Sequence, residues 1–283
     1  MKLQTIGIIG AGTMGSGIAQ ACAQSGLNVV MQDINQQAVD RGIQVINKSL
    51  GRLVSKEKMT EAQQQEIVAR VRTSTSAADL APADLIIEAA TENEDLKLKI
   101  LKSVCEVARP EAIVATNTSS ISITRLATAT DRPEQFVGLH FFNPVPVMKL
   151  VEIISGLRSS EQTVSAVTAF AESLGKTPIG VKNSAGFVVN RILCPMINEA
   201  VFALQEGLAS AEEIDAGMRL GCNHPIGPLA LCDLIGLDVE LAVMEVLYNT
   251  FNDSKYRPAP LLKEMVDAGQ LGRKSGQGFY NYS

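Results

Sequence analysis

The chain has 283 residues, of which 46% are hydrophobic and 19% charged, and its net charge is −5. These values are typical of a soluble globular protein with one large domain or two. The acidic balance and an aromatic content of 4%, without any Trp, argue against a nucleic-acid-binding protein. No apolar run reaches 18 residues and no signal peptide is apparent, so we expect no membrane partner.

Short β-rich runs alternate with helical stretches over the first 180 residues. Strands are predicted at 5–9, 28–31, 71–74, 84–88, 112–116, 135–139, 149–154 and 178–181. Residues 36 to about 70 are polar and typical of two helices broken near 59–60, an inserted helical hairpin. Strands separated by helices predict βαβ units and a mainly parallel sheet, which makes this part α/β.

The character of the sequence changes after Asn183. Residues 187–204 are apolar with helical periodicity, and Ser210-Ala-Glu-Glu213 fits a helix N-cap followed by acidic first-turn residues. Strand signals are not found beyond this point. We therefore predict an α/β domain over residues 1–183 and an all-helical domain over residues 184–283.

A glycine-rich turn, Gly10-Ala-Gly12-Thr13-Met14-Gly15, follows the first strand and opens a helix. Gly10 permits a tight turn, Gly12 lets a pyrophosphate approach the backbone, and Gly15 lets helix and strand pack closely. The helix start adds N–H groups and a positive dipole. The spacing and its context predict a Rossmann-type dinucleotide-binding site.

Asp33 stands at the end of the second strand, 23 residues after Gly10. A carboxylate there accepts hydrogen bonds from the adenosine ribose hydroxyls and repels a 2′-phosphate, which favours NAD over NADP. The alternative is an aspartate that caps the following helix.

The chain has only two histidines, His140 and His224. His140 ends an apolar run at the carboxyl end of a predicted strand, where open α/β sheets bind ligands, so it suits a general base. Glu152 lies in the next apolar run, and a buried carboxylate there would need a partner such as His140. The alternatives are a structural core histidine and a Glu152 that faces water.

Polar residues in two other segments are candidate ligand contacts. Asn117-Thr-Ser119-Ser120 follows a strand, and its hydroxyls either donate to a ligand or, as for Ser120 and Ser122, cap a helix. Asn190 lies in an apolar helical stretch and acts either as structural hydrogen-bond partner or as a substrate contact.

Four basic residues, Arg41, Lys48, Arg52 and Lys56, follow one another at helical spacing. The last three are four apart, which places them on one helix face as a candidate site for phosphates. The alternative is an ordinary solvated face.

The cysteines are five in number and widely spaced, namely Cys22, Cys105, Cys194, Cys222 and Cys232. We interpret them as reduced thiols of a cytoplasmic protein. Cys222 and His224 are a close pair of possible metal ligands, but no second pair accompanies them and we expect no metal.

Taken jointly, the sequence segments resemble the L-3-hydroxyacyl-CoA dehydrogenase family, and within it the bacterial 3-hydroxybutyryl-CoA dehydrogenases. The resemblance covers essentially the whole chain. The segments that carry it are 8–20, 117–123, 140–152, 186–192, 223–228 and 272–280.

The resemblance implies a role for each matching position. His140 would be the catalytic base and Glu152 its orienting partner, while Ser119 and Asn190 would bind the reacting oxygen or nearby substrate groups. Asp33 would hold the adenosine ribose. The further positions matching the cofactor surroundings are Glu92, Lys97, Asn117 and Asn143.

The resemblance also implies partners for the rest of the chain. The basic helix with Lys48, Arg52 and Lys56 would meet coenzyme A, with Arg52 standing where relatives often carry Lys. The helical domain would form a homodimer, and His224 would be a structural turn residue.

The resulting prediction is reversible hydride transfer between NAD and C3 of an acyl-CoA, in fatty-acid or butanoate metabolism. One rival is a related dehydrogenase for a β-hydroxy acid or sugar acid without CoA. Another is a non-catalytic nucleotide-sensing protein that kept the fold.

Overall fold

The computed structural model describes residues 3–282. It divides into two compact units, the first running to Asn183 and the second beginning at Ser184. Within residues 3–282, none of the helices has both the length and the apolar character needed to span a bilayer.

The first unit is built on one sheet, to which eight strands contribute within the described residues. Its strands are β1 (Thr5–Ile9), β2 (Asn28–Gln32), β3 (Val71–Ser74), β4 (Leu85–Glu88), β5 (Ile113–Thr116), β6 (Phe136–Phe141), β7 (Leu150–Ser155) and β8 (Thr177–Lys182). The order is β3-β2-β1-β4-β5-β6-β7-β8. All neighbours are parallel except β6 and β7, which confirms the prediction of a mainly parallel sheet.

Helices connect the strands of the first unit. They are α1 (Thr13–Gln24), α2 (Gln36–Val54), α3 (Glu61–Ala69), α4 (Glu94–Val107), α5 (Ile123–Ala127) and α6 (Glu161–Ser173). The break between α2 and α3 lies where the sequence predicts it, because Thr60 caps α3 in a capping box with Gln63. The first six strands have the order of a dinucleotide-binding sheet, so the carboxyl ends of β1 and β4 share one edge.

The second unit is helical, as predicted. Its helices are α7 (Val189–Gln205), α8 (Ala211–Gly221), α9 (Pro228–Ile235), α10 (Leu237–Phe251) and α11 (Pro260–Asp267). Ser210 forms the expected N-cap of α8, and Glu213 completes a capping box. Apolar side chains from several helices form its core, including Ile197, Leu229 and Leu262.

Most strand ends differ from the sequence prediction by one or two residues, and two boundaries bear on the predicted site residues. Strand β6 continues to Phe141, so His140 lies inside the strand rather than beyond it. Helix α2 ends at Val54, so Lys56 does not share a helix face with Lys48 and Arg52. The prediction of a face shared by all three residues was wrong, because the spacing of residues in sequence does not show where a helix ends.

Candidate active site

The glycine-rich loop leaves the start of α1 open. Gly10 has φ +96°, and a Cβ at Gly10 would lie 2.6 Å from the Ala90 Cα, while a Cβ at Gly15 would lie 1.8 Å from the Gly10 carbonyl oxygen. At Gly12 a Cβ would meet no atom within 4 Å. Gly10 and Gly15 are therefore required by packing, whereas Gly12 faces open space at the positive end of the helix, the setting that an anion needs.

Asp33 is tied to this loop by one of its carboxylate oxygens. Oδ2 accepts a hydrogen bond from the Ala11 N–H at 2.7 Å, and Oδ1 accepts one from the Ile34 N–H at 2.7 Å. Helix α2 is capped instead by Asn35, whose side chain accepts from the Ala38 N–H. The capping alternative for Asp33 is therefore wrong, and its carboxylate lies beside the glycine loop.

His140 and Glu152 form a buried pair at the centre of the site. They lie directly opposite each other in the antiparallel register of β6 and β7, so their side chains share one face. His140 Nδ1 lies 2.6 Å from Glu152 Oε2. Glu152 is fully buried and His140 is 7% exposed. The alternative that Glu152 faces water is therefore wrong.

Polar and aromatic neighbours hold the histidine in place. The Phe142 ring lies 4.5 Å from the His140 ring, centroid to centroid. The Asn117 side-chain oxygen accepts a hydrogen bond from the Phe141 N–H at 2.9 Å. Asn117 therefore fixes the turn that follows β5 against the strand that carries His140.

Glu92 gathers the hydroxyl groups of the turn after β5. Its Oε1 accepts from the Thr118 hydroxyl at 2.6 Å, from the Ser119 N–H at 2.9 Å and from the Ser119 hydroxyl at 3.1 Å. It also accepts from the Ser120 hydroxyl at 3.1 Å. Ser122, not Ser120, caps the following α5. The structure thus brings Glu92 and Ser119 together.

Lys97 lies in a buried ion pair. Its ammonium donates to Glu88 Oε2 at 2.5 Å and to the Thr116 hydroxyl at 3.2 Å, and all three residues are buried. Glu92 is more distant, with its Oε2 3.9 Å from Lys97 Nζ. Lys97 thus contacts the carboxyl ends of β4 and β5, and its contact with a cofactor stays a prediction.

The remaining predicted residues lie farther along the two units. Arg41, Lys48 and Arg52 are exposed on α2, and Asn143 is exposed in the segment between β6 and β7. Asn190 is half-buried in the first turn of α7. His224 lies between α8 and α9, in the turn region that the sequence predicts for it.

The cysteines are unpaired, and four of the five are buried. Among residues 3–282, no cluster of three or more His, Cys, Asp and Glu side chains could hold a metal ion. The pair Cys222 and His224 therefore has no further ligand in the described part of the chain.

The fold and the glycine loop define the class, a dinucleotide-binding protein with a helical second unit. Residues 5–184 match the family model for the NAD-binding domain of 3-hydroxyacyl-CoA dehydrogenase, and residues 186–282 match its C-terminal domain. The chain belongs to the 3-hydroxyacyl-CoA dehydrogenase family, and its cofactor is NAD.

Relatives resemble the chain over its full length. A probable 3-hydroxybutyryl-CoA dehydrogenase of Deinococcus radiodurans is 54% identical, covering 98% of this chain and 99% of its own. The 3-hydroxybutyryl-CoA dehydrogenase of Bradyrhizobium diazoefficiens is 50% identical, and the match covers 99% of this chain and 96% of that protein. The crystal structure of the (S)-3-hydroxybutyryl-CoA dehydrogenase of Ralstonia eutropha superposes with a TM-score of 0.98, at 63% identity and with full coverage of both chains.

Sequence reasoning missed three polar side chains near the site, namely Glu88, Thr116 and Lys176. Glu88 ends the apolar run Leu85–Glu88, as Glu152 interrupts its own strand, so a charge within an apolar strand was the available signal. Lys176 carries no such signal, because it precedes a strand in an ordinary turn.

Proposed function

We propose that the chain is an NAD-dependent (S)-3-hydroxybutyryl-CoA dehydrogenase in which His140 is the general acid and base. The observation that carries the proposal is the buried pair of His140 and Glu152, at the sheet edge that also carries the glycine loop. The full-length similarity to proteins of that name supports the substrate.

The residues around the glycine loop fit NAD. Open space at Gly12 and the N–H groups of Thr13 and Met14 suit a pyrophosphate, and the Asp33 carboxylate suits the adenosine ribose. When bound, NAD accepts a hydride from C3 of the hydroxyacyl group or returns it. Glu92, Lys97, Asn117 and Asn143 complete the proposed cofactor surroundings.

Proton transfer falls to the His140 ring. Glu152 contacts Nδ1, which orients the ring and stabilises its protonated form, so Nε2 exchanges the proton with the substrate oxygen. In oxidation the imidazole takes the 3-hydroxyl proton, and in reduction the imidazolium returns a proton to the same oxygen. Ser119 hydrogen-bonds that oxygen or its neighbours, and the family resemblance implies a substrate contact for Asn190.

Exposed basic residues on α2 suit the phosphates of coenzyme A. Lys48 and Arg52 lie one helical turn apart and are exposed, so both can reach the same anion. Lys56 lies beyond the helix end and contributes less to such a site. This observation favours an acyl-CoA over a free hydroxy acid.

The test is the reduction of acetoacetyl-CoA by NADH, with His140→Gln as the variant. We expect kcat to fall by at least about 100-fold, the usual contribution of a general acid or base. Near-normal turnover by the variant would contradict the role of His140. Free acetoacetate as an equally good substrate would favour the rival dehydrogenase that does not use CoA.

Two further proposals concern the whole protein. We infer a homodimer through the helical unit, supported by exposed apolar side chains at Ile192, Leu220 and Leu234. Light scattering should then give twice the 30.2 kDa chain mass.

The unpaired cysteines support a reducing compartment such as the cytoplasm.

A further inference from the structure

The side chain of Lys176 makes an unusual contact for a lysine. The residue lies between α6 and β8, and its ammonium donates to the carbonyl oxygen of Val145 at 2.5 Å and of Met148 at 2.8 Å. Both carbonyls belong to the tether segment, residues 142–149, which joins β6 to β7. Lys176 thus bridges two parts of the first unit that are far apart in sequence.

The contact has a cost, which argues that it is specific. Lysine side chains usually keep their ammonium group in water, and ordering one removes rotamer freedom. Here burial lowers the pKa of Lys176, although the buried thiol of Cys22 nearby acts in the opposite direction. Two carbonyl hydrogen bonds to a charged donor offset this desolvation.

The tether segment links the residues of the proposed site. It begins two residues after His140, ends three residues before Glu152, and contains Asn143. Beyond Lys176, its main anchor is Val145, which is buried against α1: a Cβ at Gly17 would lie 3.0 Å from the Val145 Cβ. The segment therefore packs against the helix that opens at the glycine loop.

The rest of the tether segment has few other anchors. Val147 and Met148 expose their side chains, and their N–H groups both donate to the Pro144 carbonyl within the segment. Among residues 3–282, the hydrogen bonds that tie the segment to the region around β8 are those of the Lys176 ammonium and the one from the Thr177 N–H to the Lys149 carbonyl oxygen.

We infer that Lys176 is a positioning residue of the cofactor site, which holds the tether segment so that Asn143 faces NAD and His140 stays aligned with Glu152. This inference rests on the proposed function, in which Asn143 lies at the cofactor. Lys176 itself touches neither substrate nor cofactor. Its loss loosens the cofactor side of the site and leaves the basic residues of α2 in place.

The experiment compares Lys176→Met with the wild type and with Lys182→Met, which removes an exposed lysine from the far end of β8. We expect Lys176→Met to raise the dissociation constant of NADH, measured by fluorescence titration, about 10-fold (~1.4 kcal/mol). The KM for acetoacetyl-CoA should stay within about twofold. Lys176→Arg, which keeps the charge and donors, should recover part of the NADH affinity.

Several outcomes overturn the inference. One is NADH affinity and kcat in Lys176→Met that match those of Lys182→Met. Another is a Lys176→Met protein that binds both NADH and acetoacetyl-CoA more weakly and unfolds at a lower urea concentration, with no recovery in Lys176→Arg. That result would indicate a purely structural role. If Lys176→Met does not fold, Lys176→Gln is measured in the same way. If the wild type binds NADH but does not reduce acetoacetyl-CoA, the proposed function is contradicted instead. The two failures can be told apart because the dissociation constant of NADH is measured without turnover.

Discussion

At the scale of single residues, the pair of His140 and Glu152 both compensates for the burial of a carboxylate and orients the imidazole ring. A fully buried carboxylate loses several kcal/mol of hydration unless a partner replaces the water. The register of β6 and β7 supplies that partner at 2.6 Å. The same contact fixes the imidazole ring, which a proton-transfer group requires.

Glu152→Gln should separate the charge of this residue from its volume. The amide keeps the shape but does not stabilise a protonated imidazole, so we expect kcat for acetoacetyl-CoA reduction to fall roughly 100-fold. The KM for NADH should change little, because Glu152 contacts the histidine. Glu172→Gln, an exposed site on α6, is the control. Unchanged kcat in Glu152→Gln would rule out the orienting role.

Asp33→Asn should relax the choice between cofactors. Asparagine keeps an acceptor for the Ala11 N–H but removes the charge that repels a 2′-phosphate. We expect the ratio of kcat/KM for NADH over NADPH to fall roughly 10- to 100-fold, the size of one charge-assisted contact of ~1.5–3 kcal/mol. Asp40→Asn, exposed on α2, is the matched control. A ratio that stays unchanged in Asp33→Asn would show that another group excludes NADPH.

At the scale of elements, the basic face of α2 is exposed, and within residues 3–282 none of Arg41, Lys48 and Arg52 forms an ion pair with a carboxylate. A helix face that only contacts solvent has the same structure as a face that binds the phosphates of coenzyme A. Binding measurements must therefore distinguish the two. The end of α2 at Val54 separates Lys56 from this face and offers an internal comparison.

Charge reversal on α2 should weaken acyl-CoA binding selectively. We expect Lys48→Glu combined with Arg52→Glu to raise the KM for acetoacetyl-CoA about 10-fold (~1.4 kcal/mol), with a smaller effect at high salt because salt screens exposed charges. Lys56→Glu should raise the KM for acetoacetyl-CoA less than the double variant does. Equal changes in both proteins would show that the helix face is not the CoA site.

At the scale of the whole molecule, stability depends on a buried acid in the helical unit. Glu240 on α10 is fully buried, and neither carboxyl oxygen has a well-formed hydrogen bond within residues 3–282. Burial raises the pKa of Glu240 to about 8. The neighbouring Cys194 and Cys232 are neutral thiols, since burial raises the pKa of both.

This acid predicts how stability changes with pH. The folded protein keeps the Glu240 proton up to about pH 8, whereas the unfolded chain loses it near 4.5. Unfolding between these values releases a proton, so stability falls as pH rises, by up to ~1.4 kcal/mol per pH unit, and levels off above the folded pKa.

Glu240→Gln should remove this dependence. Measured against wild type by urea unfolding from about pH 5 to about pH 9, the variant should gain in relative stability as pH rises. Glu199→Gln, exposed on α7, controls for the loss of one carboxylate. A difference between Glu240→Gln and wild type that is constant with pH would mean that Glu240 is charged in the folded protein.

Much of the architecture follows from the sequence alone. Strands β1 and β3 begin and end where the pattern predicts, and the glycine loop, the break before Thr60 and the change of character at Asn183 are also local signals. Apolar periodicity, capping residues and glycine spacing act over a few residues, so they can be recognised without knowing the fold.

Only the tertiary structure decided which distant groups meet. Antiparallel register placed His140 opposite Glu152, the sheet order placed Lys97 against Glu88 and Thr116, and the turn before β8 placed Lys176 against the tether segment. Local sequence indicates that a strand exists, but not which strand lies beside it or in which register. The chemistry of this protein depends on those pairings, because burial and partner together set what each charged side chain does.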